Sequence, residues 1–249
     1  MKKKEYTIFK KNNLLFAILW IIIYVISLSV ADNISELLGI RKSVTTAISA
    51  ILTAILITWM KKNHLFREYG LCRSTIPPRH LLYYIPLVII ASINLWFGVT
   101  FNLTPIETFF YIISMLFVGF LEELIFRGLL FKAMLKDGTK SAIIISSVTF
   151  GLGHIINLIN GSGMNLLSNL LQVTYAIAIG FLFTILFYKT KTLWPCIITH
   201  SIVNSLSVFT NQSAITPARE ILTALALIAI PLLYATYIIK VHNNIPVQS

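Results

Sequence analysis

Two adjacent glutamates and an arginine, Glu122, Glu123 and Arg127, sit inside one of the most apolar parts of this chain. Downstream apolar segments carry Phe150 with His154 four residues on, and His200 with Asn204 four residues on. A charged side chain at the centre of a bilayer costs roughly 2.5–3.5 kcal/mol on insertion scales. Residues of this kind in hydrocarbon are therefore read as working parts. Glu123 and Arg127 are four apart and can pair on one helical face. Glu122 points about 100° away and has no cationic neighbour on its own helix. Its carboxylate is left available to take a proton from water, the task of a general base. His200 and Asn204 share a helical face, and their donors can converge on the oxyanion of a tetrahedral intermediate. Phe150 either packs, shields the site from water or meets an apolar substrate group.

Two other chemistries use similar residues. A serine–histidine triad is disfavoured, because no serine stands in a Gly-x-Ser-x-Gly elbow. Glu122, His154 and His200 match the ligand types of a catalytic zinc with a fourth position open to water, although the compact His-Glu-x-x-His motif is absent. Residue types alone leave a zinc hydrolase and a metal-free, glutamate-activated water both open.

The elements that hold these residues are membrane spans. Of 249 residues, 12% are charged and 57% apolar, with a mean hydropathy of +0.82, against about a quarter charged in soluble domains. Runs near the ~20 residues that cross the hydrocarbon core are expected at Leu14–Ala31, Val44–Met60, Leu81–Phe101 and Pro105–Leu121. Four more are expected at Ser141–Ile159, Asn165–Tyr188, Thr192–Phe209 and Ile221–Ile239. The fold class is all-α: a polytopic membrane protein of about eight transmembrane helices, one integral-membrane domain over 1–249, with an intramembrane active-site cavity. The fourth span should continue as an amphipathic helix to about Leu135. In the sixth, Asn165, Ser168 or Asn169, Gln172 and Tyr175 recur every three to four residues on one face; they either bond neighbouring helices or line a wet cavity.

The net charge of +11 does not point to nucleic acid, because it is segregated. With the N-terminus cytoplasmic, seventeen Lys and Arg, Arg127 among them, fall on cytoplasmic segments. Only Arg41, Lys42 and Arg219 fall opposite. That is a positive-inside pattern, with contact to anionic lipid, and it implies a multi-pass cell-membrane protein with both termini cytoplasmic. An uncleaved first span is preferred to a signal peptide cleaved after Ser29-Val30-Ala31. The basic loop Lys61–His80 reads as a topological anchor, and Trp20, Trp59, Trp96 and Trp194 as an interfacial belt. Cys72 and Cys196 are too far apart in this topology for a disulfide. Asn-x-Ser/Thr triplets begin at Asn33, Asn102, Asn160 and Asn211, all in expected external loops.

The three ordered motifs, Glu122-Glu123-x-x-x-Arg127, Phe150-x-x-x-His154 and His200-x-x-x-Asn204, resemble those of the CPBP intramembrane proteases, over about residues 105–210. That family includes CAAX-prenyl endopeptidases and bacteriocin-processing or Abi-type immunity proteins. The resemblance implies that Glu122 activates water with help from His154, that His200 and Asn204 bind the oxyanion, and that Glu123 and Arg127 support the helix. It leaves zinc as the alternative to a metal-free site. The expected substrate is a hydrophobic or lipid-modified peptide, or a small membrane protein, cleaved near the cytoplasmic half of the membrane. A non-catalytic bacteriocin self-immunity or scaffold protein is the alternative, and a proton relay or transporter a third reading, weakened by the lack of a repeated pair of broken helices.

Overall fold

The computed structural model describes residues 12–158 and 164–243, with side chains to residue 241. Lys2, Lys3, Lys4, Lys10, Lys11 and the Asn160 triplet lie outside the described residues. The fold is helical, with helices α1 Asn13–Leu37, α2 Ser43–Asn63, α3 Ile85–Ala91, α4 Pro105–Glu123, α5 Thr139–Gly153, α6 Leu166–Thr190, α7 Trp194–Leu206 and α8 Pro217–Asn243. Among the described residues, six helical stretches are long and apolar enough to cross a membrane: α1, α2, Pro105–Asp137, Thr139–Leu158, α6 and Pro217–Val241.

Two of the eight expected spans differ. Leu81–Phe101 is not one helix. It is a 3₁₀ turn at Pro78–Tyr84, the seven-residue α3, a second 3₁₀ turn at Ile93–Leu95 and a single β-bridge from Val99 to Thr210. Leu82, Tyr83 and Tyr84 take left-handed backbone angles, and Pro86 brings no N–H to a preceding turn. Irregular backbone at membrane depth survives where protein covers it: Tyr234 donates to the Leu81 carbonyl at 2.7 Å, and Asn94 to the Val203 carbonyl at 2.7 Å. The seventh, α7, has 13 residues.

The fourth span does run on past Glu123, through a π-helical stretch Leu124–Phe131 and short turns to Asp137. It is not amphipathic there, because every residue from Leu124 to Phe131 is buried. A π stretch widens the turn and re-aims side chains, and such insertions recur at functional sites. At the other end of α4 the chain direction is set by a capping box between Thr104 and Glu107 with Pro105 at the first turn.

The helix ends gather into two faces. On one, the loop after α2 is tied to the α6–α7 connection by Leu193 N–H to the Gly70 carbonyl at 2.8 Å, Thr75 N–H to Thr190 at 2.9 Å and the Thr192 hydroxyl to Cys72 at 2.7 Å. This face carries Arg67, Arg73, Lys132 and Lys191 around one shallow groove. On the other, Arg41 N–H reaches the Glu107 carboxylate at 3.3 Å, Asn102 donates to Val208 at 2.8 Å, and Arg219 lies 5.1 Å from the Phe97 ring. Arg127 belongs to neither. It is fully buried, so it drops out of the seventeen cations expected on the cytoplasmic side.

Trp20 is also interior rather than interfacial, packed edge-on to Phe16, whereas Trp96 and Trp194 remain exposed. Both cysteines are free.

Candidate active site

α4 and α7 bring the charged residues together because they pack at very short range. A Cβ on Gly119 of α4 would meet the backbone of Ser201 of α7 at 2.7 Å. One turn from each of these residues stand Glu123 and, beside Ser201, His200. His200 Nδ1 lies 2.8 Å from Glu123 Oε1, and Arg127 Nη1 donates to the same oxygen at 3.1 Å. Glu123 and Arg127 have no exposed side-chain surface. The guanidinium carbon sits 4.1 Å above the Phe150 ring and 5.8 Å from that of Phe183. Arg127 Nε and Nη2 have no hydrogen-bond acceptor among the described residues, so the aromatic faces are what meet that side of the cation. Gly180 makes the room, since a Cβ there would lie 3.1 Å from Nη2.

Glu122 points the other way, into a cavity of about 500 Å³. The Tyr24 hydroxyl of α1 donates to Glu122 Oε1 at 2.6 Å, and His200 Nε2 faces Oε2 at 3.4 Å. His200 therefore spans the two carboxylates, one on each ring nitrogen. A carboxylate only accepts hydrogen bonds unless protonated, and a neutral imidazole offers one N–H. With Nδ1–H given to Glu123, Nε2 is left facing Glu122 Oε2. A second proton held there brings the four groups Glu122, Glu123, Arg127 and His200 to zero net charge, which is what a low-dielectric interior favours.

His154 and Asn204 line the same cavity. The His154 ring stands edge-on to Phe150 with centroids 5.4 Å apart, and Phe150 is edge-on to His200 at 5.7 Å. Phe150 thus acts as the spacer between the two imidazoles and as the platform for Arg127. The His154 ring has no hydrogen bond among the described residues, while its carbonyl accepts from Asn169 at 2.8 Å. The α6 stripe divides between its two expected uses. Ser168, Gln172 and Tyr175 line the cavity, and Gln172 also accepts from Asn157 at 2.9 Å. Asn165 is instead the N-cap of α6, accepting from Ser168 N–H at 2.9 Å, and Asn169 is buried.

No three His, Cys, Asp or Glu side chains among the described residues are grouped as ligands of one metal ion. Glu122, His154 and His200 share the cavity.

Tyr24 escaped the sequence reading. It is 98 residues from its partner, and a tyrosine within a first span carries no local mark of such a contact. Asp32 and Lys42, joined at 2.8 Å, likewise line the far end of the cavity.

Residues 103–206 match a family model described as Type II CAAX prenyl endopeptidase Rce1-like. Over that segment the chain is similar to the CPBP intramembrane proteases. The match covers all three motifs and α4 to α7, and it supports an intramembrane CAAX-type endopeptidase. Tyr24, Asp32, Lys42 and the whole of α8 lie outside it. No curated protein and no solved structure gives a significant match.

Proposed function

We propose that this protein hydrolyses a peptide bond in a hydrophobic or lipid-modified peptide, or a small membrane protein, using water activated by Glu122 without a metal. The observation that carries this reading is the Glu122 carboxylate aimed into a membrane-embedded cavity. One of its oxygens is fixed by Tyr24, and the other is left beside His200 Nε2.

The chemistry follows from the proton count. Glu122 takes a proton from a water in the cavity as that water attacks the scissile carbonyl, and His154, whose ring is free on the cavity side, helps to orient the water. The carbonyl oxygen becomes an oxyanion. Asn204 and the protonated His200 supply N–H donors for it, in surroundings where such donors are worth more than in water. Glu122 then returns its proton to the leaving amine. Glu123 and Arg127 do not touch substrate; they hold His200 with Nε2 toward the cavity.

The test is purified wild type against Glu122→Gln on a library of fluorogenic hydrophobic peptides, with and without chelator. Cleavage lost in the variant and insensitive to chelator is the expected result. Loss with chelator and rescue by zinc would overturn the metal-free mechanism. Cleavage by neither form, with biological protection retained by Glu122→Gln, would turn the reading to a non-catalytic immunity protein.

A further inference from the structure

The cavity occupies one half of the helix bundle, and that half is opposite the basic face. Its lining reaches the end where α1 joins α2 and where α8 begins, at Asp32, Lys42, Ile215 and Glu220. None of the described residues of the basic connections, 61–80, 132–140 and 189–193, lines it. Toward the basic face it is floored by Phe126, Phe150 and Phe183, with Arg127 packed among them, each no more than 4% exposed. Below that floor lie Leu130, Phe131, Leu186 and Phe187, all buried. The shortest way in from the basic side runs along α7, where His200 is six residues, ~9 Å of helix, from Trp194. Leu193, Cys196 and Ile197 fill it, at 0%, 0% and 5% exposure.

The two faces also differ in charge. Among the described residues, eleven Lys and Arg fall on the side of the helix ends near 63, 137, 190 and 240, with Glu68 and Asp137 as their only acids. The cavity side has Arg41, Lys42 and Arg219 against Asp32, Glu36, Glu107 and Glu220. Cationic loops stay in the cytoplasm. We infer that the active-site cavity is reached from the extracytoplasmic side. Its substrate is then a hydrophobic peptide segment presented from the outer leaflet or after translocation, and not the lipidated tail of a cytoplasmic protein. The cleavage site moves accordingly from the cytoplasmic half, where the motifs alone would put it, to mid-membrane and outward. The protease reading enters only in naming what occupies the cavity; the side of access rests on geometry and charge.

Cysteine accessibility separates the two. In a Cys72→Ser background, with Cys196 buried, Ser29→Cys and Ser168→Cys report the cavity and Asp137→Cys reports the basic face. The full-length protein is treated in intact cells, and in inverted membrane vesicles, with a charged, membrane-impermeant maleimide. The expected result is labelling of the two cavity cysteines in intact cells and of Asp137→Cys only in inverted vesicles. Cavity cysteines labelled only in inverted vesicles, or from the same side as Asp137→Cys, would overturn the inference. So would cavity cysteines that react with a permeant maleimide but with the charged one from neither side. Because no hydrolysis is measured, the expected labelling together with inactivity on every peptide would defeat the protease reading and leave the side of access standing.

Discussion

His200 Nδ1 and Glu123 Oε1 are 2.8 Å apart, and the oxygen they share with Arg127 is fully buried. Adjacent glutamates thus have separate tasks: Glu123 belongs to a closed ionic network, and Glu122 to a cavity. Glu123→Gln leaves Arg127 without its counter-ion, and breaking a buried pair in this way costs about 3–5 kcal/mol. Glu122→Gln keeps the acceptor for Tyr24 and removes only the base. Thermal unfolding in detergent should therefore show a large fall in Tm for Glu123→Gln and little change for Glu122→Gln. Equal losses in both would refute the division.

Arg127 should not tolerate lysine. A guanidinium can donate to Glu123 while lying flat on the Phe150 ring, 4.1 Å away, whereas an ammonium is a compact, strongly hydrated point charge. Arg127→Lys should lower stability by about 2 kcal/mol, the scale of a desolvated cation–π contact. A Tm indistinguishable from wild type would show that charge alone suffices.

The motif residues were legible because an α-helix repeats every 3.6 residues: Glu123 with Arg127, Phe150 with His154 and His200 with Asn204 each fall one turn apart, and each pair shares a neighbourhood in the fold. What was not legible was set by contacts between distant segments. Nothing near Glu123 in sequence indicates that His200 rather than His154 is its partner. Nothing near Tyr24 indicates Glu122. The apolar run Leu81–Phe101 indicates a membrane helix that the fold does not form, since hydropathy is blind to the left-handed turn at Leu82–Tyr84 and to the Tyr234 hydroxyl that satisfies the Leu81 carbonyl. Arg127 was counted with the cytoplasmic cations because charge tallies see position along the chain and not the packing around it.

Gly119 lets α4 and α7 approach closely, and that contact registers Glu122 and Glu123 against His200. Ala at 119 would force the Ser201 backbone away, an overpacking cost of about 1–3 kcal/mol. Gly119→Ala should lower both Tm and hydrolysis. Gly153→Ala, with nothing within 4 Å of the added carbon, should leave Tm unchanged. If Gly119→Ala is equally silent, α7 is not held at this distance.

Tyr24 tests whether the first helix takes part in the chemistry. Its hydroxyl donates to Glu122 Oε1 at 2.6 Å, and a hydrogen bond to a charged group is worth about 1.5–3 kcal/mol. Tyr24→Phe removes one oxygen and leaves the ring in its buried place, so the helix packing survives. It leaves Glu122 with one fewer donor and free to rotate away from the cavity. kcat/KM should fall by roughly 10- to 100-fold, the equivalent of that bond energy, with Tm close to wild type. An unchanged rate would remove α1 from the active site.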